Sequence, residues 1–157
     1  MQVQKKIIME WFLKKFHELS NDELYATLRL RNEVFIVEQN CPYQDLDNKD
    51  QKAWHLLGTE DQKLLAYTRL FPPGVFYTET SIGRVVTSPT ARGTGLGKEL
   101  MQKSIYYAEN LFGKVPITIG AQLYLKKFYE SLGFISFGEE YLEDGIPHIK
   151  MSRKASS

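Results

Sequence analysis

Cysteine, histidine and unbalanced charge are all scarce in this chain of 157 residues, and each scarcity excludes something. The single cysteine, Cys41, cannot build an internal disulfide framework, so the fold must rest on its apolar core, and a reducing, cytoplasmic setting is expected. His17 and His55 have no ligand-like spacing with Cys41, so no metal site is expected. Twenty Lys and Arg against nineteen Asp and Glu leave a formal charge of +1, which gives no electrostatic footprint for a nucleic-acid partner. Long apolar runs are missing too. The stretch Lys5-Lys6-Ile7-Ile8-Met9 is interrupted by Glu10 and followed by Lys14-Lys15, too short and too charged for a signal peptide or a spanning helix, so no membrane partner is expected. No repeat, low-complexity tract or linker divides the chain, and its length and 43% hydrophobic content suit a single domain over 1–157.

What is present is a succession of short strands and helices. Residues 8–16, with Trp11, Phe12 and Leu13, read as a first strand. Ser20 followed by Glu23 is a capping box, with Leu19 and Leu24 placed to staple, and predicts a helix to about residue 37 that buries Leu24, Leu28 and Phe35. Residues 38–50 are long for a connector and are a candidate substrate-side loop. Strands over 54–57 and 64–71 flank a turn at 60–63, and Pro72-Pro73-Gly74 ends the second. A strand over 80–87, a helix over 95–112 and a strand over 115–120 follow. A helix over 122–132 comes next, with Leu125, Phe128, Tyr129 and Leu132 on one side and Gly133 as its cap. Asp144-Gly145 then joins two strands as a hairpin, and 153–157 reads as a frayed tail. The fold class is α/β: one mixed sheet of about seven strands with roughly four helices.

The organising stretch is the strand, glycine loop and helix from Ile82 to Phe112. Glycines let the backbone approach a ligand, and the unpaired N–H groups of a helix start attract negative charge. Two familiar phosphate loops fail here. A P-loop requires glycine at Arg92 and a hydroxyl at Glu99, and a dinucleotide fingerprint counted from Gly93 and Gly95 requires glycine at Lys98. What remains is Arg-x-x-Gly-x-Gly over 92–97.

That motif resembles the acetyl-CoA loop of GNAT N-acetyltransferases, [Gln/Arg]-x-x-Gly-x-[Gly/Ala] after a strand. Thr87-Ser88-Pro89 stands where the family often has Val-x-Pro, and Tyr129-Glu130-Ser131-Leu132-Gly133-Phe134 matches a second family signature, Y-E-x-x-G-F. The chain is also similar to the ElaA-like branch, through Leu28-Arg29-Leu30-Arg31-Asn32-Glu33-Val34-Phe35, Val37-Glu38-Gln39, Cys41-Pro42-Tyr43, Asp47, Asp50, His55, Gly83-Arg84-Val85 and Asp144-Gly145-Ile146-Pro147-His148-Ile149. The resemblance spans nearly the whole chain.

It implies the GNAT-type acyl-CoA N-acyltransferase fold, with central strands splayed into a V, and acetyl-CoA as co-substrate. By the same resemblance, the backbone of Val85, Val86 and Thr87 would pair with the pantetheine arm. N–H groups of Arg92, Gly93, Thr94, Gly95, Leu96 and Gly97 would hold the diphosphate, with Arg92 adding charge. Gln122 falls where many members carry an asparagine near the arm. Tyr129 matches the frequent tyrosine acid; the structural alternative is a core-edge aromatic. His148, on the last strand, and Glu38, after the first helix, are candidate bases, alongside a structural role for His148 and proton loss through ordered water. Arg84, inside an apolar strand, has to face a pocket or pair with an acid, and reads as a structural or substrate-orienting ion pair rather than a catalytic group. Arg29 and Arg31 read as helix surface, and as two arginines beside the acceptor loop they, Arg31 foremost, are candidate clamps for a substrate carboxylate. Cys41 reads as a small buried filler. The expected partner is a small-molecule or peptide amine, with the protein a monomer or homodimer.

Two other functions compete. Arg31-x-x-Val34-Phe35 followed by Asp45-x-Asp47 resembles acyl-homoserine lactone synthases, which share the fold. A non-catalytic acyl-CoA sensor would keep the loop alone.

Overall fold

The computed structural model describes residues 8–157. Lys5, Lys6 and Ile7 of the charged stretch weighed above as a leader lie outside the described residues. The first strand, β1 (Glu10–Lys15), leads through a 3-10 turn to the predicted capping box. The Glu23 amide donates to Ser20 Oγ at 3.0 Å, and the Ser20 amide donates to Glu23 Oε1 at 2.8 Å, so two donors that a helix start leaves unpaired are satisfied. Helix α1 (Asn21–Arg31) follows and continues as a π-helical segment, Asn32–Glu38. The face it buries is Thr27, Leu30, Arg31 and Val34, while Leu24, Leu28 and Phe35 are only partly covered. The apolar pattern misplaced this face because its central member is an arginine.

β2 (Trp54–Glu60) and β3 (Lys63–Phe71) form a hairpin through Asp61 and Gln62, both at positive φ. Such a pair gives a two-residue turn whose twist matches its strands. β4 (Thr80–Thr87) pairs with β3 through a bulge. The register passes from Tyr67↔Val86 to Arg69↔Gly83, so Arg84 and Val85 stand against Thr68 alone, and Arg84 takes φ 50°. Helix α2 (Leu96–Phe112) buries Leu96, Leu100, Met101, Ser104, Ile105 and Ala108, the face its periodicity predicts, against β3 and β4. Ser104 enters this face without cost, because its hydroxyl bonds Thr68 Oγ1 at 2.7 Å and the Leu100 carbonyl at 2.8 Å.

β5 (Ile117–Gln122) begins two residues later than 115. Pro116 lacks an amide to donate to a ladder. Gln122 ends the strand, paired with His148 of the last strand, and the helix expected over 122–132 shrinks to a 3-10 turn and α3 (Lys126–Glu130). Among the described residues there are thus three α-helices where roughly four were expected. β6 (Phe134–Glu143) and β7 (Ile146–Arg153) close the chain as the predicted Asp-Gly hairpin. The tail expected to fray is anchored instead: Arg153 belongs to β7, and Ser156 donates to Glu109 through its amide at 2.8 Å and its hydroxyl at 2.7 Å.

The seven strands form one mixed sheet in the order β1-β2-β3-β4-β5-β7-β6. Its single parallel contact, β4 with β5, is limited to Thr80↔Ile117 and Ser81↔Thr118. Beyond those pairs the central strands splay, as the resemblance implied.

Candidate active site

A cleft of about 740 Å³ fills the gap between β4 and β5. It reaches from the glycine loop and α3 at one end to the loop after the π segment and the β6–β7 hairpin at the other. Val85, Val86, Thr87, Arg92, Gly97, Gln122 and Tyr129 all line it. Gly93, Thr94 and Gly95 are exposed beside it, and Leu96 turns its side chain into the core, which leaves only its backbone for a ligand.

This end fits an acyl-CoA. Gly95 is the N-cap of α2 at φ 82°, a conformation glycine adopts without strain, and no side chain caps the helix start. A Cβ placed on Gly93 or Gly95 would meet no atom within 4 Å, so the backbone is open to approach. The N-terminus of a 17-residue helix with uncapped amides is suited to a diphosphate. Alongside it, β4 past Ser81 has one edge without a strand partner, ready for an extended arm.

Arg92 and Glu38 meet across this end. Nη1 donates to Oε2 at 2.9 Å and Nη2 to Oε1 at 2.5 Å, so the candidate base is engaged by the candidate diphosphate ligand. Gln122 pairs amide to amide with Gln39, at 3.3 and 3.4 Å.

Tyr129 is 5% exposed and packs edge-on against Phe128 and Phe134. Among the described residues its hydroxyl has no hydrogen-bond partner, and burial pushes its pKa well above the usual phenol value. It stays protonated, able to donate. On β7, His148 Nδ1 lies 2.7 Å from the Ile146 carbonyl. A carbonyl only accepts, so Nδ1 carries the proton and Nε2 is the atom able to take one. Nε2 stands 3.4 Å from Glu143 Oε2, with the ring stacked on Tyr141. Cys41 is buried and donates its thiol to the Asp144 carbonyl at 3.2 Å.

The substrate assignment of Arg31 does not hold. Its side chain is 0% exposed and lies under the cleft without lining it. Nε donates to Asp45 Oδ2 at 3.0 Å and Nη1 to Asp50 Oδ1 at 2.9 Å. Arg69 bonds Asp47 and Asp50, and Arg84 bonds Asp45 Oδ1 at 2.7 Å, so three arginines and three aspartates interlock. Burial alone would raise the carboxyl pKa of Asp47 and Asp50, but the guanidinium partners outweigh it and hold both below the usual carboxylate range. Arg84 both lines the cleft and pairs with acids.

Sequence reasoning passed over Arg69, Tyr77, Ser81 and Gly120, which also line the cleft. Arg69 had a signal: a cation inside an apolar strand, the argument applied to Arg84. Gly120 had none, since its reason lies in two distant side chains. A Cβ there would stand 2.9 Å from both the Tyr77 and Tyr141 hydroxyls.

The family model described as an acetyltransferase (GNAT) domain matches residues 16–155. This chain belongs to the GNAT acetyltransferase family. Within the GNAT family it is similar to Escherichia coli ElaA, 43% identical over 149 residues that cover 94% of this chain and 97% of ElaA. The crystal structure of ElaA aligns at 41% identity with a TM-score of 0.85, over 94% of this chain and 100% of that one. A Pseudomonas aeruginosa acyl-CoA N-acyltransferase aligns at 44% identity with a TM-score of 0.88, covering 93% of this chain and 99% of that one. The acyl-homoserine lactone synthase LasI, 13% identical over 95% of this chain and 91% of its own, has a TM-score of 0.77, a likeness of fold alone. GNAT membership makes this chain an acyltransferase that uses an acyl-CoA co-substrate and acts on a small-molecule or peptide acceptor.

Proposed function

We propose that this GNAT protein is an acetyl-CoA-dependent N-acetyltransferase in which an acceptor amine attacks the thioester directly. The observation that carries the reading is the junction of three features in one cleft: the open edge of β4, the uncapped start of α2, and the protonated, unpartnered hydroxyl of Tyr129. Acetyl-CoA, when bound, supplies the activated carbonyl carbon. The backbone at Val85, Val86 and Thr87 orients the arm, and the 92–97 loop holds the diphosphate, with Gln122 beside the arm. The Tyr129 hydroxyl supplies the proton that the departing thiolate needs. His148 Nε2 takes the proton from the incoming ammonium, because Glu38 is occupied by Arg92.

The test mixes the protein with acetyl-CoA and a panel of amines and follows free thiol. Thiol release that depends on an amine supports the reading. Binding of acetyl-CoA with no thiol release on any amine would replace it with a non-catalytic sensor. The acids that suggested a lactone synthase, Asp45 and Asp47, are saturated here by arginines. Their presence therefore has a structural reason and lends that alternative no separate support.

A further inference from the structure

The far end of the cleft contains polar atoms with no partner among the described residues. Ser81 is 2% exposed and Arg69 1% exposed, both line the cleft, and neither Ser81 Oγ nor Arg69 Nε makes a hydrogen bond among the described residues. Register puts them on one face of the sheet. Arg69 stands opposite Gly83, and Ser81 is two residues from Gly83, so the two are diagonal neighbours about 7–8 Å apart. Gly83 leaves the way open between them, since a Cβ there would come no nearer than 4.0 Å to Arg69 Nε. Thr118, directly across from Ser81 on β5, adds another buried hydroxyl without a partner.

An unpaired buried donor is costly, and a native fold rarely keeps two on one spot unless a ligand answers them. Arg69 Nε–H can only donate and the Ser81 hydroxyl can donate, so an acceptor oxygen between them would answer both. The interlocked arginines and aspartates, of which Asp47, Arg69 and Arg84 line the cleft, balance three against three, so the extra charge at this floor comes from Lys49. Its ammonium lies 4.5 Å over the Phe76 ring and is in no salt bridge among the described residues. The opposite wall carries His148 and Glu143, where a cationic amine is favoured.

Resting on the acetyltransferase reading above, we propose that the acceptor is a carboxylate-bearing amine, its carboxylate seated on Arg69 Nε–H, Ser81 Oγ–H and the Lys49 ammonium while its amine faces His148. A single ammonium with two hydrogen-bond donors matches a monoanion, and a phosphate dianion would leave charge uncompensated.

Binding is read without turnover. Linear ω-amino carboxylates and α-amino acids are titrated into the CoA-bound protein beside alkylamines of matching length, and the arginine Nε–H signals are followed by NMR. Arg69→Lys, which keeps the charge and removes the Nε–H, identifies its signal. The expected result is a shift of that signal by amino carboxylates only, with about tenfold preference over alkylamines. Ser81→Ala and Lys49→Gln should each lower the preference severalfold. Thr80→Val, which alters an unpartnered hydroxyl on the other face of β4, should not. Alkylamines binding as well as amino carboxylates, an unchanged preference in both Ser81→Ala and Lys49→Gln, no binding by any amino carboxylate, or tighter binding of O-phosphoethanolamine would each overturn the proposal. Absence of thiol release with the preference intact would count against the catalytic reading alone.

Discussion

Glu38 and Arg92, 54 residues apart in sequence, face each other across the mouth of the cleft with two hydrogen bonds between them. The pair is exposed, so it contributes little to stability, on the order of 0–1 kcal/mol. It does hold the loop's own cation away from a diphosphate. Glu38→Gln should tighten acetyl-CoA binding several-fold at low salt, with the gain shrinking as salt is added. Calorimetric titration at two ionic strengths checks this, and unchanged affinity would remove Arg92 from the diphosphate site.

Tyr129→Phe takes away a proton donor that makes no hydrogen bond within the described protein, so stability should hold. Turnover should fall by about 100-fold with acetyl-CoA affinity nearly unchanged. Turnover at the wild-type rate would exclude Tyr129 from the reaction.

Gly95→Val forces a β-branched residue to φ 82°, at a cost of roughly 1–2 kcal/mol, and thickens the backbone where a diphosphate is expected. The melting temperature should drop by a few degrees while acetyl-CoA binding is lost. Near-normal affinity would sink the loop assignment.

Arg31→Ala leaves Asp45 and Asp50 buried with one cation fewer, and should destabilise the fold by about 3–5 kcal/mol, as read by urea unfolding. A cost under about 1 kcal/mol would show that the network is not structural.

Acid should weaken the protein in two stages. His55 sits between the Asp50 carbonyl, 2.9 Å from Nε2, and the Tyr67 hydroxyl, 2.6 Å from Nδ1. The carbonyl accepts a hydrogen bond from Nε2–H, so Nδ1 accepts from the Tyr67 hydroxyl and the ring is neutral. Burial lowers its pKa below the usual 6.5, so the unfolded chain binds the extra proton first and stability declines as pH falls below about 6.5. Asp47 and Asp50 are also depressed, so their contribution is full above about pH 4 and is lost as pH falls further. Thermal melts between pH 3 and 8 should show both stages, and His55→Gln should remove the upper one.

The order of strands and helices was legible because each depends on local chemistry: the Ser20–Glu23 box, the Asp144-Gly145 turn, and the 3.6-residue stripe of α2. The glycine loop was legible for the same reason. Arg31 was not, because a solvated helix arginine and a buried one look identical until Asp45 and Asp50 fold back on it. The start of β5 was displaced by one missing amide at Pro116. Arg69 carried the same signal as Arg84, a cation inside an apolar strand, but Ser81 was hidden, because its significance lies in a partner its hydroxyl lacks among the described residues, which no spacing along a chain encodes.

The two-pair junction between β4 and β5 also bears on how this protein avoids its neighbours. An open strand edge on the outside of a sheet is a template for stacking with other chains. Here the open edge of β4 is on the inside of a V, with β5 as the opposite wall. Another folded sheet is too broad to enter, while one slender extended chain is not. The geometry therefore acts as a gauge, admitting thin molecules to main-chain pairing and turning thick ones away, so a surface that elsewhere promotes aggregation is reserved for a ligand.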